Sequence, residues 1–165
     1  SGETSRGAGT SITCATKWVV AARMTSPMGA SGMSASYLTL LIGATDRGKS
    51  TVAARWAREA AGAERVAVVD ADTGQSEIGS PGTVGVGWAR ADAARLSDLP
   101  CAAAFFVGAL SPAAAALEHV AATAAAARWA RGRGAARILV DTPGYVAGPG
   151  ARRWLCALAQ TLAPD

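Results

Sequence analysis

The chain has 165 residues, half of them hydrophobic and many of those alanine, with a formal net charge of +4. That length suits about one domain with a sizeable core, built here from small side chains. The mild positive balance, carried mostly by arginine, allows an anionic partner such as nucleic acid without requiring one.

Three scattered cysteines (Cys14, Cys101, Cys156) fit neither a disulfide framework nor a metal spacing, so a reducing cytoplasm is the expected setting. No signal peptide is visible. The most apolar stretch, 101–117, is too short for a membrane span and is broken by Gly108 and Ser111-Pro112, so no membrane partner is expected.

Residues 1–36 are rich in Ser, Thr, Gly, Ala and Met without sustained periodicity, and read as a poorly ordered leader or a domain remnant. Regular patterning begins at Tyr37. "YLTLLI" reads as a buried strand, "GATDRGKST" (43–51) as a glycine-rich turn, and 49–61 as a helix stopped by Gly62. "RVAVVDAD" (65–72) is a second buried strand whose β-branched run suits a parallel sheet. Residues 73–87 read as a loop, 103–108 as a strand, and 112–131 as a helix carrying His119, the single histidine, as a surface residue. A strand over 137–141 and a helix over 150–162 complete the pattern. Strands alternating with helices predict a three-layer α/β sandwich with a mostly parallel sheet.

Gly43, Gly48, Lys49 and Ser50 complete G-x-x-x-x-G-K-[ST] between a strand and a helix. Glycines let backbone N–H groups curl around phosphate oxygens, and the helix directs its positive end to the same place. Lys49 would reach the β- and γ-phosphates, and the Ser50 hydroxyl would bind Mg²⁺. Ala44, Thr45, Asp46, Arg47 and Thr51 belong to the same nucleotide-binding turn. Alternation along the second strand places Asp70 and Asp72 on one side, near its C-terminal end, where ligands bind in open α/β sheets. A carboxylate there can organise Mg²⁺ or take a proton from an attacking hydroxyl. "VDTPGYV" (140–146) ends a strand in Asp141, which fits a Walker B carboxylate or the D-x-x-G switch of a GTPase. Residues 145–165 hold no guanine-reading Asn-Lys-x-Asp, and the span from Lys49 to Asp141 is long for a minimal GTPase, so that switch is the weaker fit.

In order and spacing, "GATDRGKST", "VVDADTGQSEIGSPGTVGVG", "FFVGALSP" and "VDTPGYVAGPG" resemble the P-loop polynucleotide 5′-hydroxyl kinases. That family includes the kinase-like subunit of the mRNA cleavage and polyadenylation machinery, ribosomal-RNA-processing kinases and archaeal RNA/DNA kinases. The resemblance covers roughly residues 37–165. It implies a P-loop NTPase fold, ATP and Mg²⁺ as cofactors, and RNA or DNA 5′-hydroxyl ends as partners in RNA processing. Lys49 and Ser50 would act on ATP and Mg²⁺, with Asp70 as a supporting site residue on the metal side. Asp72 would be the base that deprotonates the acceptor, and Gln75 a substrate-side residue. Tyr145 stands where the family often has a tryptophan against the terminal nucleotide. Ala44 replaces the usual proline of the loop. An arginine-bearing lid is expected beyond residue 165, so the segment 37–165 reads as an incomplete kinase-like domain. Two other functions fit the same motifs: a P-loop ATPase switch of the partition or metal-insertion type, and a non-catalytic family member that binds ATP.

Overall fold

The computed structural model describes residues 10–15, 19–25 and 36–162, with side chains from residue 36 onward. Its strands are β1 (Thr10–Ala15), β2 (Val19–Thr25), β3 (Tyr37–Ile42), β4 (Val66–Asp70), β5 (Thr83–Trp88), β6 (Cys101–Phe106) and β7 (Arg137–Asp141). Its helices are α1 (Lys49–Ala60), α2 (Ala116–Gly132) and α3 (Gly148–Leu162), with a short 3₁₀ turn at Leu96–Asp98. The strands form one sheet in the order β1-β2-β3-β7-β4-β5-β6.

Strand β7, the last in the chain, lies between β3 and β4 and runs parallel to both. All other neighbours are antiparallel. The sheet is therefore mixed, with its parallel part confined to the three central strands. The reason is connectivity. Only β3→β4 and β6→β7 cross over through a helix, whereas β4, β5 and β6 follow one another without one and turn back. The leader expected over 1–36 falls largely outside the described residues. Within it, the β2 backbone pairs with β3 from Val20↔Ile42 to Thr25↔Tyr37.

Strand β5 falls where a loop was expected. Its sequence, "TVGVGW", looks like turn material because of two glycines. A Cβ on Gly85 would collide with the Ile78 carbonyl oxygen, and one on Gly87 would lie 3.0 Å from Leu99 Cβ. Both glycines thus admit close packing of neighbouring segments against a real strand. Smaller differences concern element ends. Helix α1 finishes at Ala60 with a right-handed cap at Ala61, so Gly62 is not its left-handed stop. Strand β4 finishes at Asp70, which leaves Asp72 beyond it.

The two faces of the sheet are covered differently. Helix α1 and the 3₁₀ turn bury Ala53, Ala54, Ala57, Leu96 and Leu99 against Leu41, Val66, Val68 and Leu139. Helices α2 and α3 bury Ala126, Ala127, Ala130, Trp154 and Leu158 against Leu38, Leu40, Val69, Ile138 and Val140. Small side chains are thus the rule on α1 and α2, while the strands supply the branched bulk and α3 adds Trp154 and Leu158. Each fully buried Leu, Ile or Val contributes about 1.5–3 kcal/mol, so the strands carry most of the burial energy. At the N-terminal end of the parallel strands, Arg65 lies 3.9 Å over Trp88 and Arg133 lies 4.0 Å over Trp129, with the two indoles 6.0 Å apart. This ladder ties β5 to α2 at the end away from the phosphate loop. Among the described residues no helix is long and apolar enough to cross a membrane.

Candidate functional site

The C-terminal ends of β3, β7 and β4 lie side by side, and each leads into a segment carrying a candidate residue. After β3, the turn 43–48 reverses the chain with Asp46 at φ 59° and Gly48 at φ 78°. Asp46 is the one non-glycine residue with positive φ among those described, a conformation that Asp tolerates better than most residues. Gly48 is the N-cap of α1 and offers no side chain to its first-turn amides, and no acidic residue occupies that turn. The amide end of the helix is left for an anion. Lys49 is 6 % exposed, and its Nζ donates to the Ala44 carbonyl at 3.1 Å, bracing the turn from inside. Thr45, Asp46, Arg47 and Thr51 are exposed around it.

The turn after β7 abuts this loop. A Cβ on Gly144 would sit 2.8 Å from Thr45 Cα and overlap the Thr45 hydroxyl, so glycine is what allows the contact. Thr142 Oγ1 donates to the Leu41 carbonyl at 2.7 Å and locks the two strand ends together. Ser50 Oγ donates to Asp141 Oδ2 at 2.5 Å across 91 residues of sequence. The other carboxylate oxygen, Asp141 Oδ1, is buried and accepts no hydrogen bond from the described residues.

Asp70 and Asp141 are register partners on β4 and β7, and each is 2 % exposed. Burial pushes the Asp141 carboxyl up to about 7; the Ser50 bond opposes this, and the neighbouring Asp70 charge adds to it. Burial likewise pushes Asp70 up to about 6, against the pull of its backbone hydrogen bonds. These bonds define what Asp70 does. Its Oδ2 accepts the amides of Glu77 (2.6 Å) and Ile78 (2.8 Å), and its Oδ1 accepts that of Asp72 (3.1 Å). Asp70 therefore shapes the loop after β4 with both oxygens, whereas Asp141 keeps one oxygen unengaged.

Asp72 is half-buried, and its Oδ1 accepts the amides of Gly74 (3.2 Å) and Gln75 (3.0 Å). Its Oδ2 accepts no hydrogen bond from the described residues. Alternation along one strand does not describe this pair. β4 has ended, Asp70 turns inward onto amides, and Asp72 keeps an open oxygen. The Gln75 side chain is exposed. Tyr145 is half-buried, with its ring 6.0 Å from that of Trp154.

His119 is not a surface residue. It is fully buried, with Nε2 2.8 Å from the Ala71 carbonyl, while Trp154 Nε1 donates to its Nδ1 at 3.3 Å. Helical periodicity in so alanine-rich a stretch carried no signal for this, because the partner carbonyl lies 48 residues away.

Residues 43–165 match the P-loop model of the mRNA cleavage and polyadenylation factor CLP1. The chain belongs to the CLP1 P-loop family. A polyribonucleotide 5′-hydroxyl-kinase of Pyrococcus horikoshii is 32 % identical to it over 112 residues. That alignment covers 67 % of this chain and 31 % of the relative. In this CLP1-type domain the phosphate loop, the Ser50–Asp141 pair and the Asp72 loop lie at the C-terminal ends of the three central strands.

Proposed function

We propose that the protein transfers the γ-phosphoryl group of ATP to the 5′-hydroxyl end of a polynucleotide, as a step in RNA processing. The observation that carries this reading is the open oxygen of Asp72, beyond the same C-terminal end of the sheet as the phosphate loop. The name of the archaeal relative supports it. In this reading the amides of residues 43–51 and the Lys49 ammonium hold the β- and γ-phosphates. Asp72 Oδ2 accepts the proton of the acceptor hydroxyl as its oxygen bonds to the γ-phosphorus. The bond from that phosphorus to the β–γ bridging oxygen breaks, and ADP leaves. Gln75, exposed on the same loop, would contact the acceptor in this reading. The test is labelled ATP with 5′-hydroxyl RNA and DNA oligonucleotides. Label at the 5′ end is expected. ATP binding by the intact protein with no transfer would turn the reading to an ATP-driven switch or a non-catalytic ATP binder, which ATP hydrolysis would tell apart.

Ser50 and Asp141 fit a Mg²⁺ ion better than Asp70 does. Asp141 has a buried, unpartnered oxygen, whereas both Asp70 oxygens are engaged by amides. Mg²⁺ typically takes one or two protein ligands plus phosphates and water, which agrees with so small a donor set. When bound, the ion would neutralise charge on the β- and γ-phosphates. A sign follows from the raised Asp141 carboxyl, whose ordinary value is 3.8 and which stands at about 7 in the fold. Its folded form holds the proton longer, so its contribution to stability is complete below the ordinary value and is lost as pH rises through about 7. In metal-free protein, Asp141→Asn should therefore gain melting temperature relative to wild type between pH 4 and pH 8. Added Mg²⁺ at pH 8 should raise the wild type and not the variant. A pH-independent difference between the two proteins would refute the buried-anion account.

Tyr145 has a protein partner in Trp154, which separates two expectations. Loss of the ring contact removes about 0.5–1.5 kcal/mol beyond area burial, so Tyr145→Ala should lower the melting temperature. If the ring also stacks on the terminal nucleotide, oligonucleotide binding at one fixed salt concentration should weaken by about 1–3 kcal/mol with ATP affinity unchanged. A fall in melting temperature with both affinities intact would restrict Tyr145 to packing.

A further inference from the structure

We propose that His119 is a positioning residue for Asp72, holding the peptide from which the Asp72 carboxylate projects. The inference rests on Asp72 as the base in the reading above. It begins with Ala71, the residue between the two aspartates, which lies just beyond β4. Its N–H donates to the Asp141 carbonyl at 2.8 Å, and its own carbonyl accepts the Thr73 amide at 3.1 Å. The same carbonyl lies 2.8 Å from His119 Nε2 inside the core. The Asp72 amide is in turn held by Asp70 Oδ1. The backbone on both sides of Asp72 is thus fixed, and His119 makes the only side-chain hydrogen bond to that carbonyl among the described residues.

The chemistry of the ring sets its protonation state. An indole N–H can only donate, so Nδ1 must be the acceptor toward Trp154. Nε2 then carries the hydrogen and donates to Ala71. The neutral Nε2–H tautomer satisfies both contacts at once. Burial also pushes the His119 pKa down, against the pull of the Ala71 carbonyl and the nearby Asp72 charge. Trp154 crosses the imidazole edge-on at 5.1 Å and is 2 % exposed, so the ring cannot swing away without opening the packing of α2 on α3. Tyr145, in the segment that follows Asp141, has its ring 6.0 Å from that of Trp154. The path Tyr145–Trp154–His119–Ala71 thus connects the turn after β7 to the loop that carries Asp72.

A structural residue would lower stability and touch all functions alike, whereas a positioning residue should spare nucleotide binding. The intact protein is compared with His119→Gln, whose amide N–H₂ can reach the Ala71 carbonyl, and His119→Leu, which fills similar space without a donor. Steady-state kinetics use Mg-ATP and a 5′-hydroxyl oligonucleotide, with calorimetry for ATP and hydrogen exchange at the Asp72–Gln75 amides. His119→Leu should lower kcat by about 10–100-fold, the scale of a misplacement near 1 Å, with KM for ATP within about 2-fold. His119→Gln should recover most of that loss. Exchange at residues 72–75 should quicken in His119→Leu while the amides of 43–51 keep their protection. Equal losses in the Gln and Leu variants, or exchange unchanged at 72–75, would overturn the assignment. If wild type transfers no phosphate, the kinase reading fails, and the exchange result alone still decides whether His119 holds this loop.

Discussion

Asp72→Asn should leave Mg-ATP binding intact and lower kcat for phosphoryl transfer by about 10²–10⁴-fold, the range of a positioned general base. The amide keeps the shape of the carboxylate. Its oxygen can still accept the Gly74 and Gln75 amides that Asp72 Oδ1 accepts at 3.2 and 3.0 Å, so the turn survives. What disappears is proton affinity at the open oxygen. The defect should therefore lie in kcat, with the oligonucleotide KM little changed. Transfer within a few-fold of wild type would remove Asp72 from the mechanism. Asp141, close by but bonded to Ser50, would then be the next carboxylate to test.

Lys49→Ala should weaken Mg-ATP binding by at least about 100-fold. Charge-assisted hydrogen bonds contribute about 1.5–3 kcal/mol each, and Lys49 would make more than one to the phosphates. The expected cost to the fold is small. Among the described residues the ammonium makes one hydrogen bond, to the Ala44 carbonyl of the same turn. Lys49→Met, which keeps the buried stem, separates lost charge from lost packing. Both variants should bind ATP equally poorly, and methionine should melt closer to wild type. Unchanged affinity in calorimetry for either variant would contradict the phosphate-loop assignment.

The candidate site was legible in the sequence where its determinants are local. The spacing of Gly43, Gly48, Lys49 and Ser50 contains its own geometry, and α1 starts at Lys49 as that spacing requires. Asp141 reads as a strand-ending carboxylate that fits a Walker B residue or a D-x-x-G switch, and its bond to Ser50 depends on β7 entering the sheet next to β3. Such pairing leaves no mark on either segment alone. Asp70 and Asp72 were found together yet differ in use, because the strand stops between them and amides from residues 77 and 78 return to Asp70. Strand β5 was hidden by Gly85 and Gly87, whose role is to admit other backbone and side chains at close range. His119 was misread for a similar reason: a buried carbonyl supplied by a distant strand end decides its environment.

The central position of β7 also bears on how the chain reaches this structure. Its two flanking strands, β3 and β4, appear early in the chain, yet neither pairs with the other in the finished sheet. Until residues 137–141 arrive, each presents an apolar edge with unpaired backbone groups. The contacts that close the centre, such as Leu40↔Val140 and Val69↔Val140, span long loops whose closure entropy must be met before they form. On a ribosome, the first half of this domain therefore emerges with its sheet split, prone to wrong pairing. The Ser50–Asp141 bond can form only with the late entry of β7, so competence for nucleotide and completion of the fold should appear in the same kinetic phase.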